Sequence, residues 1–180
     1  MALTREQFCE KLLRSYAPFY DIEEKGEEKR PLVATAFFHV HNAGYFLVKR
    51  AEAWAADQNE YIYVFSAPVL TKELFEECIA AACADGIPRI KPDKNHMSSF
   101  VDAVFICDEV TPEGLAALRR YRNKKSFHFS LHGWMEVYAA VVNLGKETVE
   151  ANCPNAQAVK FLKNVLRGRR RGIVSSFLKK

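Results

Sequence analysis

The order in which the hydrophobic period changes along this chain limits its fold more than any other feature. Thr4 and Gln7 have the spacing of a capping box. Phe8, Leu12 and Tyr16 then recur every four residues as one apolar helical face, which Ala17-Pro18 ends. Asp21 to Arg30, with five acids and three bases around Gly26, reads as a solvated loop. From Leu32 the period falls to two. Leu32, Ala34, Ala36, Phe38 and Val40 share one face of a strand, and Val33, Thr35, Phe37, His39 and His41 share the other. Asn42-Ala43-Gly44 predicts a turn, Tyr45 to Trp54 its returning strand, and Glu60 to Ser66 a third, central strand.

Thr71 caps a second helix, with Leu70 and Phe75 placed as a hydrophobic staple; Asp85-Gly86 is expected to close it. Residues 87–99 form the longest polar connection, and Phe100 to Cys107 is a fourth strand. Thr111-Pro112-Glu113 starts a short helix that ends near Arg122, with proline in its first turn and an acid on the positive dipole end. Ser126 to His132 and Trp134 to Asn143 predict a hairpin around Gly133, and Glu147 to Ala151 a further strand. A last helix starting at Pro154 buries Val159, Leu162, Val165 and Leu166. The sequence thus predicts a single α+β domain over residues 1–166, followed by a basic tail over 167–180. Its order is α-βββ-α-β-α-ββ(β)-α, with helices packed on a mixed, mostly antiparallel sheet of about six strands.

The opening α-βββ-α-β resembles the core order of the PD-(D/E)xK nuclease superfamily, a restriction-endonuclease-like architecture. That resemblance implies an Asp on the second strand and a Glu-x-Lys on the third, holding Mg²⁺ and orienting a water. Here the second strand offers only Glu52, and the third reads Glu60-Tyr61-Ile62, with isoleucine in the lysine position. The likeness covers about 100 residues as element order and does not carry the motif.

No run reaches the roughly 18 apolar residues of a membrane helix, so no membrane insertion is expected. Met1 to Glu6 lacks the apolar stretch of a signal peptide, and a cytoplasmic protein is expected. Five cysteines without a Cys-x-x-Cys pair read as reduced, buried hydrophobes, and no metal or cofactor is called for. The net charge of +4 is local: residues 167–180 carry six cations and no acid, so the preceding residues sum to −2.

Candidate chemistry is sparse. His39 and His41 share one strand face, and His128 and His132 another, as metal ligands or catalytic groups must. Asp108 and Glu109 close the fourth strand before a helix N-terminus, where ligands often bind. Arg89, Lys91, Lys94 and His96 gather four donors on the long loop, and Arg167, Arg169, Arg170 and Arg171 form the tail cluster. The loop suits an anionic ligand or an acidic protein partner, and the tail suits RNA, DNA or acidic lipid. This balance favours a small binding or protein-interaction module over an enzyme. The alternatives are a nucleic-acid-binding protein on a nuclease-like scaffold without the acidic motif, and a metal-dependent hydrolase using His39, His41, His128 and His132.

Overall fold

A computed structural model describes residues 3–43, 55–94, 96–153 and 157–168. The elements run α1 (Arg5–Tyr16), β1 (Asp21–Glu24), β2 (Leu32–Ala43), β3 (Ala55–Leu70), α2 (Lys72–Arg89), β4 (His96–Val110), α3 (Pro112–Arg120), β5 (Lys124–Ser126), β6 (Trp134–Asn143), β7 (Thr148–Ala151) and α4 (Gln157–Leu166). Four helices pack on one mixed sheet of seven strands, in the order β1-β2-β3-β4-β6-β5, with β7 also paired to β6. Four of the six pairings are antiparallel. The two central ones, β3 with β4 and β4 with β6, are parallel.

Parallel neighbours need crossovers, and each is made by one helix. α2 joins β3 to β4, and α3 lies between β4 and β6. Both helices lie on one side of the sheet: Phe75, Cys78, Ile79 and Ala82 of α2 and Leu118 of α3 pack with Tyr63, Phe65, Val101, Ala103, Phe105, Val137 and Val141. The alternate strand residues, Ile62, Val64, Val104, Ile106, Ala140 and Val142, face the other way. They pack with Phe8 and Leu12 of α1 and Val159, Leu162 and Val165 of α4. The central strands are therefore covered on both faces, which explains why they read as nearly continuous apolar runs.

Several expectations are corrected. β1 and a single 3₁₀ turn (Glu27–Lys29) replace the solvated loop over 21–30. The antiparallel partner of β2 is β3 itself, in register from Ala34↔Val64 to Ala43↔Ala55. Asn42 and Ala43, expected in a turn, are the last residues of β2, whereas Gly44 and the expected strand from Tyr45 to Trp54, with Glu52, lie outside the described residues. A bulge between Leu32 and Ala34 offsets the start of β2. Leu32 thus packs with the α2 side while Val33 joins Ala34 and Ala36 on the α1 side.

α2 runs through Gly86 to Arg89 and does not stop at Asp85-Gly86. Gly86 serves close approach: a Cβ there would lie 3.1 Å from the Tyr63 hydroxyl and from both Val101 methyls. The long polar loop shrinks accordingly, because β4 already begins at His96. β5 is three residues long, and His128–Ser130 is a 3₁₀ turn in place of the expected strand.

Phe105 sits at the centre of the α2 side, 1% exposed, with ring centroids 5.3 Å from Phe65 and 5.6 Å from Phe75. Phe105→Ala should cost about 3–5 kcal/mol of unfolding free energy, measured by urea denaturation.

Candidate ligand-binding groove

α2 packs over β3 and β4, so the same face of the sheet is left uncovered toward β1 and β2. The result is a groove of about 400 Å³, within the range of small-molecule sites. Its floor is Leu32, Thr35, Phe37, Tyr63 and Phe65, and one wall is Cys78, Ala81, Ala82, Asp85 and Arg89 of α2. Lys25, Lys29, Arg30 and Pro31, from the chain between β1 and β2, make the other.

Its electrostatics follow from a chain of contacts. Arg89 donates from Nε and Nη2 to the two carboxylate oxygens of Asp85, each at 3.0 Å, and its guanidinium lies 4.9 Å from the Phe37 ring centroid. The Tyr63 hydroxyl donates to Asp85 at 2.6 Å. Arg89, then Tyr63, hold the Asp85 carboxyl below its ordinary range, although burial opposes them. Burial pushes the Cys78 thiol up to about 12, so it is no nucleophile. Lys25 is paired with Glu23 at 2.6 Å and Arg30 with Glu27 at 2.6 Å, whereas Lys29 has no ion pair among the described residues. On the floor, Thr35 is 3% exposed and its Oγ1 is buried without a hydrogen-bond partner. An unmet buried hydroxyl is costly, and this one lies beneath the surface of the floor.

A second polar cluster lies on the opposite face. Asp102 of β4 is buried between β3 and β6, and its Oδ1 has no protein donor. Burial first, then the charge of Glu60 and a hydrogen bond shared with Glu60, raise the Asp102 carboxyl well above its ordinary value. Burial beside Glu60 thus favours the neutral form of Asp102, and Glu60 accepts a hydrogen bond from the Tyr20 hydroxyl at 2.6 Å. The pair stands on β3 and β4, not on the second and third strands, and Ile62 follows Glu60 two residues on. β2 contains no carboxylate, so the nuclease motif is absent from the described second strand. No group of three or more His, Cys, Asp or Glu among the described residues could hold a metal ion.

The other residues singled out by sequence are dispersed. His39 and His41 lie on β2, opposite Asn59 and Asp57, but their side chains are outside the described set. His128 and His132 do meet, with ring centroids 4.4 Å apart, across a turn and not along a strand face. Asp108 is paired with Arg5 at 2.9 Å, and Glu109 is exposed. Of the expected anion-binding loop, only Arg89 reaches the groove. Lys91 and Lys94 are exposed elsewhere, and His96 is buried, bonded to the His132 carbonyl at 2.7 Å and to Ser99 Oγ at 2.8 Å. Arg167 is exposed just after α4, while Arg169, Arg170 and Arg171 lie outside the described residues.

Sequence reasoning missed Thr35, Lys25, Lys29, Arg30 and Asp102. The Asp85 and Arg89 spacing was a readable i,i+4 pair, and Asp102 was readable as a lone acid within Phe100 to Cys107. Residues 4–164 match the model of a family described as a domain of unknown function (DUF8052), and the chain belongs to that family. No curated protein and no solved structure matches it.

Asp102 makes stability depend on pH. Its folded-state pKa is raised above the ordinary 3.8, so its contribution is fully present below that value. The contribution is lost as pH climbs toward and through the raised pKa. Asp102→Asn keeps the shape and a donor toward Glu60 without a titrating proton. The variant should gain stability relative to the native protein on going from pH 4 to pH 8, in urea denaturation at both. A difference that does not change with pH would mean that Asp102 is already ionised in the fold.

Proposed function

We propose that this member of the family is a binding module for a small anionic ligand with an apolar body, held in the groove between α2 and β1–β2. The carrying observation is the groove itself, an aromatic floor of Phe37, Tyr63 and Phe65 beneath a rim with Lys25, Lys29, Arg30 and Arg89. The floor suits an apolar or aromatic body, because Phe37, Tyr63 and Phe65 present rings and Arg89 already stacks on Phe37. The rim suits a phosphate or carboxylate. Lys29 has no acid to satisfy, and Arg30 can keep Glu27 on one edge while presenting the rest of its guanidinium fork. Glu23 and Asp85 are already paired with Lys25 and Arg89, which leaves Glu77 of α2 as the lining carboxylate without an ion pair among the described residues, against the cations of the rim.

Catalysis receives less support. The groove thiol is protonated, and the acid pair Glu60–Asp102 lies on the other face of the sheet. The observed order α-βββ-α-β favours a nucleic-acid-binding protein on a nuclease-like scaffold as the second reading.

Thermal unfolding with adenosine monophosphate, octanoate or inorganic phosphate tests the groove. An amphipathic anion should raise Tm, by an amount equivalent to about 2.7 kcal/mol at a hundredfold excess over Kd, and inorganic phosphate should do much less. Thr35→Val removes the unmet buried hydroxyl and should stabilise the free protein by about 1 kcal/mol. Lys29→Gln and Arg30→Gln should each weaken binding about fivefold to tenfold. A Tm insensitive to all three anions would overturn the reading.

A further inference from the structure

The opposite edge of the sheet carries a second feature, independent of the groove. From Arg119 to Trp134 the chain holds five cations, Arg119, Arg120, Arg122, Lys124 and Lys125, and no acid. Arg119 is paired with Glu150 at 2.8 Å, and Lys124 lies 3.8 Å from Glu136. Arg120, Arg122 and Lys125 are exposed and have no ion pair among the described residues.

Directly after β5 the chain turns outward. Phe129 is fully exposed, Leu131 is 79% exposed, and Met97, beside the base of the turn, is 48% exposed. His128 and Phe129 adopt φ of 45° and 52°, a left-handed conformation that bulky residues enter only at a cost. No packing compensates that cost at Phe129. The turn is nevertheless well anchored. The Phe127 N–H donates to the Gly133 carbonyl at 2.9 Å, and the His132 N–H donates to the Phe127 carbonyl at 3.2 Å. The His96 ring is bonded to the His132 carbonyl at 2.7 Å. Gly133, at φ 71°, seats the turn on β4, where a Cβ would fall within 2.2 Å of the Met97 carbonyl oxygen. A rigid base thus holds strained apolar side chains out in water beside unpaired cations.

We propose that this tip is a peripheral contact site for an anionic lipid surface. Phe129, Leu131 and Met97 enter the headgroup layer, and the neighbouring arginines and lysines meet the lipid phosphates. Charge complementarity selects the anionic surface, because the segment offers cations without a single acid. The apolar groups select lipid over nucleic acid. Two of the three are aliphatic and offer no stacking platform. The Trp134 ring is already covered by the Lys124 ammonium at 4.5 Å, and Phe127 is contacted by Lys125 and by the His96 ring. Phe129 alone among these rings is free for a base. Nothing here requires a spanning helix, and no helix among the described residues is long and apolar enough to cross a membrane. The contact is with the surface of the bilayer.

Flotation of the full chain with vesicles tests this, using phosphatidylcholine alone or mixed with phosphatidylglycerol. The protein should float with the mixed vesicles only, and added salt should weaken the association. Phe129→Ser combined with Leu131→Ser should reduce binding by tenfold or more. Lys125→Gln and Arg122→Gln should each reduce it about fivefold. Both apolar residues are solvent-exposed, so circular dichroism and Tm of the double variant should match the native protein. The basic residues after Leu166 are present in every variant, so a loss at the tip cannot be assigned to them. Absence of native binding to mixed vesicles would overturn the proposal. So would full binding by the Phe129→Ser/Leu131→Ser protein, which would assign the lipid contact to charge elsewhere. A third overturning result is tighter binding to single-stranded RNA, lost in the same double variant.

Discussion

The three parallel strands β3, β4 and β6 can exist only if both of their faces are kept from water, and the rest of the structure answers to that requirement. Each strand carries apolar residues at odd and even positions alike, so a helix layer is needed on either side. The crossovers supply α2 and α3 to one face, and the chain termini supply α1 and α4 to the other. Seven strands are wider than a pair of helices. Cover is complete over the centre and gives out toward the two edges, at β1–β2 on one side and at β5 on the other. The groove and the exposed tip are the places where the layers stop.

The helices were legible because their signals are local. Thr4 with Gln7, Thr71 and Thr111-Pro112 all cap helices where the sequence placed them, since a cap depends on residues three apart. The strand pairing was less legible. Nothing between residues 60 and 66 says whether a neighbour runs parallel or antiparallel, and the parallel centre is set by crossovers tens of residues long. Gly86 misled for a related reason. Glycine signals a helix end when the backbone needs a left-handed residue, but here it lets α2 approach Tyr63 and Val101 inside the helix. The turn at His128–Ser130 misled because Phe127, Phe129 and Leu131 alternate as a strand would, while Phe129 and Leu131 point into solvent.

The site was less legible than the fold. The groove is assembled from the chain between β1 and β2, the floor of β2 and β3, and the last turns of α2, segments separated by up to about sixty residues. Its cations were hidden in a stretch that holds more acids than bases, and only pairing decides which of those charges is spent. Glu23 and Glu27 are occupied by Lys25 and Arg30, which leaves Lys29 outside the count. Asp102 shows the opposite case. A single acid in an apolar strand looks like an error of pattern, yet burial beside Glu60 shifts it toward the neutral form, which such a site tolerates better than a charge.

Net charge concealed both surfaces for one physical reason. Interactions between exposed charges fade over a Debye length of about 8–10 Å, so a sum over a domain says little about any patch on it. The residues before 167 total −2, but five cations lie in one segment from Arg119 to Lys125, and Arg120, Arg122 and Lys125 among them have no ion pair among the described residues. They escaped notice because Tyr121 and Asn123 interrupt the run and because Arg119 and Arg120 also suit the negative end of α3. A helix dipole accounts for two arginines near a C-terminus. It does not account for three more beyond the helix, nor for aromatic and aliphatic side chains held out into water next to them. Where a local explanation covers only part of a cluster, the remainder is what points to a partner.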